Sequence, residues 1–170
     1  MAILTIPNFI TFFRLVLILP FVFLLSMHET IFAALLFIVI AVLDGVDGFI
    51  ARSMKQQSKF GEMLDSTSDV TLLVVSFLSL GYFGYIQKEW HLLLGICAIF
   101  LVVSKLLHYY LSKETASTLQ GKFTALAAYA TILSSAVSLP FNSALIVVFI
   151  ASSLYTSVHF LLYAFKNSQS

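Results

Sequence analysis

The carboxylates of this chain are concentrated in one short stretch. All four aspartates, Asp44, Asp47, Asp65 and Asp69, fall within 26 consecutive residues. Residues three or four positions apart share a face of an α-helix, so Asp44 and Asp47 project from one side, as do Asp65 and Asp69. If the two segments are neighbouring helices, the two pairs converge near the same boundary.

Such a cluster needs a counter-charge in an apolar environment. An ionised aspartate at the centre of a membrane costs about 2.5–3.5 kcal/mol, and clustered carboxylates also repel one another. Arg52 supplies one positive charge, whereas two divalent cations supply four. Oxygen ligands without a nearby cysteine or histidine favour Mg²⁺ or Mn²⁺ over zinc. We therefore predict two bound Mg²⁺ ions, with Mn²⁺ as the other candidate.

Two kinds of chemistry fit these carboxylates. Two divalent ions can clamp a diphosphate and stabilise a leaving nucleotide, while one carboxylate takes a proton from the attacking group. The same side chains can instead form a divalent-cation or proton pathway, as in a transporter, or simply face a polar vestibule. Which of these uses applies depends on where the helices that carry the aspartates lie.

The composition places these elements in a membrane. The chain has 170 residues, of which 60% are hydrophobic and 10% charged, and its mean hydropathy is +1.01. A soluble domain would carry about 25% charged residues. The net charge of +1 gives no sign of a nucleic-acid partner. The single cysteine, Cys97, excludes an intramolecular disulfide.

Six apolar segments are long enough to span a bilayer. They are roughly 9–27, 30–52, 61–86, 90–112, 122–139 and 142–165, with Pro140 expected to end the fifth. We predict an all-α polytopic membrane protein with six transmembrane helices, forming a single domain over residues 1–170. Every lysine and arginine except Lys88 then lies on or near one side. The positive-inside rule makes that side, with both termini and the aspartates, cytoplasmic.

Small residues accompany the aspartates. Gly45, Gly48 and Ala51 lie on the second predicted helix, and Gly61 precedes the third-helix aspartates by one turn. A glycine inside a helix costs about 0.8–1.0 kcal/mol relative to alanine, so several beside one acidic cluster need a reason. Close helix packing is one reason and room for a flat or bulky ligand is another, and the two are compatible.

The order of these residues resembles the signature of the CDP-alcohol phosphotransferase family. It runs Asp44-x-x-Asp47-Gly48-x-x-Ala51-Arg52, then eight residues, then Gly61-x-x-x-Asp65-x-x-x-Asp69. The resemblance implies a six-helix membrane enzyme, usually a homodimer, that transfers a phosphoalcohol from a CDP-linked donor to a hydroxyl acceptor and releases CMP.

The resemblance also implies roles for single residues. The four aspartates would be the metal ligands, and Asp69 would in addition be the base for the acceptor hydroxyl. Gly48, Ala51 and Gly61 would line the pocket of the cytidine nucleotide, with Arg52 supporting it electrostatically.

The amino end carries a second similarity. The run Ile6-Pro7-Asn8-Phe9-Ile10-Thr11, followed by Arg14 and Pro20, resembles the start of phosphatidyltransferases in this family. Asn8 and Thr11 are then candidates for nucleotide binding, although a proline and an asparagine also suit a plain helix start. Arg14 would either extend to the interface or face an anionic headgroup, and it is a candidate for binding the phosphate of the acceptor.

The donor implied is CDP-diacylglycerol, and the acceptor is a small polar or phosphorylated alcohol. Gly121-Lys122-Phe123-Thr124 resembles a Gly-Lys segment of phosphatidylglycerophosphate synthases, which favours glycerol 3-phosphate. Lys105 and Lys122 would bind its phosphate as point charges. The second lysine and the glutamine of that segment are absent, so inositol, inositol phosphate, serine and phosphatidylglycerol stay open as acceptors. We expect a phospholipid-synthesis enzyme surrounded by lipid in the bacterial cytoplasmic membrane.

Overall fold

The chain folds into helices joined by short turns. The computed structural model describes residues 5–54, 59–112 and 119–168, without the side chains of residues 52, 59, 62, 105, 106, 108–112 and 164–168. In this described part every regular element is an α-helix, so the all-α prediction is confirmed. The helices are α1 (Ile6–Ser26), α2 (Thr30–Ser53), α3 (Lys59–Tyr82), α4 (Lys88–Ser112), α5 (Leu119–Ala136) and α6 (Asn142–Ser168).

Four segments of these helices are long and apolar enough to cross a membrane. They are Ile6–Ser26, Thr30–Ala51, Met63–Tyr82 and Asn142–Tyr163. The chain therefore has the helices of a multi-pass membrane protein, and two of the four spanning segments carry the aspartates.

The helices form two compact units, Met1–Phe83 and Gly84–Ser170. In the first unit α1 packs against both α2 and α3. The rings of Phe21 on α1 and Phe37 on α2 are fully buried, and their centroids lie 5.5 Å apart. Because α1 contacts both partners, it is the central helix of this unit. The single domain over residues 1–170 stays a prediction.

Polar side chains join the helices of the second unit, in which α6 packs against both α4 and α5. The hydroxyl oxygens of Thr124 and Thr156 lie 2.8 Å apart in the α5 to α6 contact. Further along, Ser134 and Ser135 both donate to Oδ1 of Asn142 at 2.9 Å. The numbers of paired residues run in opposite directions, so α5 and α6 are antiparallel. Hydrogen bonds between such side chains help apolar helices to associate in a defined register.

The fifth helix ends earlier than the sequence predicts. It stops at Ala136 rather than near residue 139, because Ser138 adopts a left-handed conformation with a φ of 56°. The N–H of Leu139 then donates to the carbonyl of Ser134 at 2.9 Å. This is the Schellman arrangement, which satisfies the last carbonyls of a helix. The chain has therefore already left the helix before it reaches Pro140.

The third helix is also shorter than predicted. It ends at Tyr82 instead of continuing to residue 86. Gly84 has a φ of 82°, which a glycine adopts without steric cost and other residues rarely do. The apolar run in the sequence therefore continues past the end of the helix into a turn.

We predict that Ser138→Gly stabilises the protein, by about 1 kcal/mol in the free energy of unfolding. The left-handed conformation costs a residue with a Cβ roughly 1–2 kcal/mol, and glycine removes most of that cost. Unfolding in detergent followed by circular dichroism measures the change. Ser143→Gly is the matched control, since Ser143 is exposed and lies in the first turn of α6, where glycine relieves no left-handed conformation and should not raise stability. Equal losses in the two variants would contradict the assignment.

Candidate active site

Carboxylates from two helices of the first unit meet at one place. Asp44 and Asp47 project from α2 and Asp65 from α3, and one oxygen of each lies within 4.8 Å of the other two. Asp69 lies one turn further along α3 and shares an ionic partner with these three residues. We call these four residues the aspartate cluster. The structure thus brings together the two pairs, as their spacing predicts.

The ionic partner of the cluster is Arg14 of α1. Its Nη1 lies 2.7 Å from Asp44 Oδ1, 3.3 Å from Asp47 Oδ2 and 3.1 Å from Asp65 Oδ1. Its Nη2 lies 2.9 Å from Asp69 Oδ1. Arg14 is fully buried, so the expectation that it extends to the interface is wrong. Carboxylates engage both terminal nitrogens, where the sequence had suggested an acceptor phosphate.

The charge and the donor atoms of the cluster fit a divalent cation. Four carboxylates and one guanidinium give a formal charge of −3, from −4 and +1. Oxygen donors of this type are those that Mg²⁺ and Mn²⁺ prefer, and the described side chains around them add no sulfur or imidazole ligand. Three oxygens within a few ångströms of one another can share one ion. The cluster can therefore hold a hard divalent metal.

One side of the cluster is anchored to α1 by a hydroxyl. Thr11 Oγ1 donates to Asp47 Oδ2 at 2.9 Å and also lies 3.1 Å from the carbonyl oxygen of Pro7. Asn8 and Thr11 are both buried, on the same stretch of α1 that carries Arg14. Asp47 is the least exposed of the four carboxylates, at 4%. The similarity at the amino end therefore belongs to a segment that contacts the cluster.

The small residues of the signature lie beside the aspartates. Gly48, Ala51 and Gly61 are half-buried, the first two on α2 and the third on α3. A Cβ at Gly45 would meet nothing within 4 Å, so close helix packing does not explain that glycine in the described part of the chain. The side chain of Arg52 lies outside the described residues.

The two lysines predicted to bind the acceptor belong to the second unit. Lys122 is exposed in the first turn of α5. Lys105 lies on α4, and its side chain is outside the described residues. Lys122 is thus an exposed cation near the start of α5, and its role as a contact of the acceptor stays a prediction.

Known proteins share segments of this sequence. Over 94 residues the chain is 37% identical to the CDP-diacylglycerol–glycerol-3-phosphate 3-phosphatidyltransferase of Cereibacter sphaeroides. The matched segment covers 52% of this chain and 42% of that protein. Over 77 residues it is 43% identical to the proteins of the same name from Escherichia coli K12 and Shigella boydii, covering 43% of this chain and 42% of each of them. The matched segments therefore span less than half of these relatives.

A family model covers far more of the chain. The model for CDP-alcohol phosphatidyltransferases matches residues 4–161. This range contains the aspartate cluster, Arg14 and Thr11, together with all of the first five helices and most of the sixth. The chain therefore belongs to the CDP-alcohol phosphatidyltransferase family.

Proposed function

We propose that this protein is a Mg²⁺-dependent phosphatidyltransferase of phospholipid synthesis. It transfers the phosphatidyl group of CDP-diacylglycerol to glycerol 3-phosphate, giving phosphatidylglycerophosphate and CMP. The observation that carries the proposal is the meeting of four carboxylates from α2 and α3 at one buried arginine, in a chain of this family. The names of the relatives from C. sphaeroides and E. coli support glycerol 3-phosphate as the acceptor.

The reaction exchanges one phosphorus–oxygen bond for another. The hydroxyl oxygen of the acceptor bonds to the phosphorus that carries diacylglycerol, and the bond from that phosphorus to the bridging oxygen breaks, so that CMP leaves. When bound, two Mg²⁺ ions supply positive charge to the diphosphate and to the departing CMP. The aspartate cluster would hold these ions, and Mn²⁺ would serve in their place.

Exposure separates Asp47 from the other three carboxylates of the cluster. Asp47, 4% exposed and fixed by Thr11 and Arg14, suits a rigid metal ligand. Asp69 is 32% exposed, so an acceptor can approach it. Asp44 and Asp65 are 30% and 46% exposed, so the choice of Asp69 as the base that takes the proton of the acceptor hydroxyl rests on the family resemblance; such a base is typically worth 10²–10⁴ in rate.

The family resemblance provides the proposed substrate contacts. The proposed contacts of the cytidine nucleotide are Asn8, Thr11, Gly48, Ala51, Arg52 and Gly61. Two observations support these contacts. Asn8 and Thr11 are buried on the α1 segment that contacts the aspartate cluster, and the residues beside the aspartates have small side chains. Lys105 and Lys122 are the proposed contacts of the acceptor phosphate, because lysines recognise phosphate as point charges.

The membrane placement completes the proposal. We assign six transmembrane helices, with both termini and the aspartate cluster on the cytoplasmic side of a bacterial membrane. The distribution of lysine and arginine supports this orientation, and the E. coli relative supports a bacterial source. The working unit is proposed to be a homodimer, as is usual in the family that the sequence resembles.

Release of CMP by the purified protein in detergent or lipid tests the function. CDP-diacylglycerol and Mg²⁺ are supplied, and glycerol 3-phosphate, inositol, inositol phosphate, serine and phosphatidylglycerol are added one at a time. We expect release only with glycerol 3-phosphate, and its loss in EDTA. Release with another acceptor alone would move the assignment to that alcohol, and silence with all of them in folded protein would contradict the donor.

Thr11→Val should weaken divalent-metal binding about 10-fold. The substitution keeps the shape of the side chain but removes the hydroxyl that orients Asp47, and the loss of such a supporting hydrogen bond typically costs 10–100-fold in metal affinity. Binding of Mn²⁺, followed by electron paramagnetic resonance of the free ion, gives the affinity. Thr11→Ser keeps the donor and should bind as the original protein does. Equal affinities for valine and serine would show that this hydrogen bond does not matter.

Asp69→Asn should keep the fold and lose CMP release by at least about 100-fold, because an amide does not accept the proton. The helical circular dichroism spectrum checks folding, and initial rates of CMP release give the activity. The matched control is Glu29→Gln, which neutralises an exposed carboxylate in the turn between α1 and α2. A variant at Asp69 that is as active as this control would remove the residue from its role as base.

A further inference from the structure

The helix that carries Arg14 is the one that connects the two aspartate pairs. In the described part of the first unit α1 packs extensively against both α2 and α3, whereas α2 and α3 do not pack extensively against each other. Asp44 and Asp47 come from α2, and the other two aspartates come from α3. The two pairs therefore meet through α1, and Arg14 is the residue at which they meet.

The geometry of the guanidinium suits this connection. Its Nη1 contacts carboxylates of both helices, and its Nη2 contacts a further carboxylate of α3. The Nε of Arg14 is buried and has no hydrogen-bond partner among the described residues. The polar interactions of the side chain are thus made by its two terminal nitrogens, towards the cluster. A lysine has a single ammonium group and does not offer such a planar fork.

The electrostatic effect of Arg14 is large in this setting. Without it the four carboxylates would have a formal charge of −4, and oxygens from the two helices would repel one another at separations within 4.8 Å. Such repulsion is strong away from bulk water, because the local dielectric constant is lower. Asp47 is almost fully buried, and leaving a buried charge without a partner is strongly destabilising, whereas water screens part of the repulsion among the other three carboxylates, which are 30–46% exposed. Divalent cations would then be the main source of counter-charge.

We propose that Arg14 is a positioning residue that holds the two aspartate pairs together before divalent ions bind, so that the folding of the first unit does not depend on metal. The inference rests on the proposed metal role of the cluster and gives Arg14 a function that the family signature does not assign. The proposal predicts that the stability of the protein depends on bound metal only when Arg14 is absent. Removing the arginine converts Mn²⁺ or Mg²⁺ from a ligand of a folded protein into a requirement for its stability.

Thermal unfolding, followed by helical circular dichroism in detergent, tests this link in EDTA and in saturating Mn²⁺. In EDTA, Arg14→Gln should lower the Tm by roughly 5–10 °C, and Mn²⁺ should restore most of the loss. Arg14→Lys keeps the positive charge but not the planar fork, so its Tm in EDTA should lie between those of Arg14→Gln and the original protein. Lys88→Gln removes an exposed cation from the start of α4 and should behave as the original protein does in both conditions.

A compensating double variant separates charge from packing. Adding Asp47→Asn to Arg14→Gln returns the formal charge of the cluster to −3 and should recover part of the lost Tm in EDTA. A loss of Tm that is equal in EDTA and Mn²⁺, with no recovery in the double variant, would overturn the proposal and leave Arg14 a packing residue. If Arg14→Gln does not fold in EDTA, folding on addition of Mn²⁺ supports the proposal and continued failure overturns it.

The proposed function and this inference fail in different ways. If the original protein gains no Tm from Mn²⁺, the metal role of the cluster fails. In that case, a higher Tm of the double variant than of Arg14→Gln in EDTA would still show that Arg14 balances the charge of the carboxylates. If the two Tm values are equal, the charge-balancing role of Arg14 is rejected as well. If the original protein gains Tm from Mn²⁺ and Arg14→Gln gains no more, the metal role stands and the inference about Arg14 is wrong.

Discussion

Four clustered carboxylates in apolar helices impose the main constraint on this structure, since they repel one another and one of them, Asp47, is almost fully removed from water. Arg14 provides an ionic partner, because its buried guanidinium contacts all four aspartates. The need for such a partner explains why a helix with no acidic residue of its own is central to the first unit. It also explains why α1 has a polar, buried stretch near its amino end within a largely apolar sequence.

The same arrangement gives the site a closed side and an open side. Asp47 is held between Thr11 and Arg14 and is almost inaccessible, whereas Asp65 is 46% exposed. A metal-bound diphosphate would approach from the exposed side and meet carboxylates whose positions are already fixed on the other. Prior positioning of this kind reduces the entropy lost when the reactants are brought together.

The sequence predicted the local features of the fold and missed those that depend on distant residues. Six helices and the convergence of the aspartates follow from apolar periodicity and from spacings of three and four, which act within one or two turns. The ionic partners of Arg14 could not be predicted, because its position in the sequence gives its place along α1 but not which helices pack against that place. A count of charges could have indicated it, since four carboxylates need a cation and Arg14 is the basic residue embedded in the first apolar run. The end of α5 was missed because a serine, rather than the usual glycine, adopts the left-handed turn.

Calorimetric titration of Mn²⁺ into the purified protein determines whether the aspartate cluster is a divalent-metal centre. We expect two ions to bind per chain, and this binding to be lost when Asp44 and Asp65 are both changed to asparagine. Both outcomes would tie the ions to the carboxylates that Arg14 gathers. Absence of Mn²⁺ binding by the folded original protein, or unchanged binding by the double variant, would contradict a metal centre at the cluster.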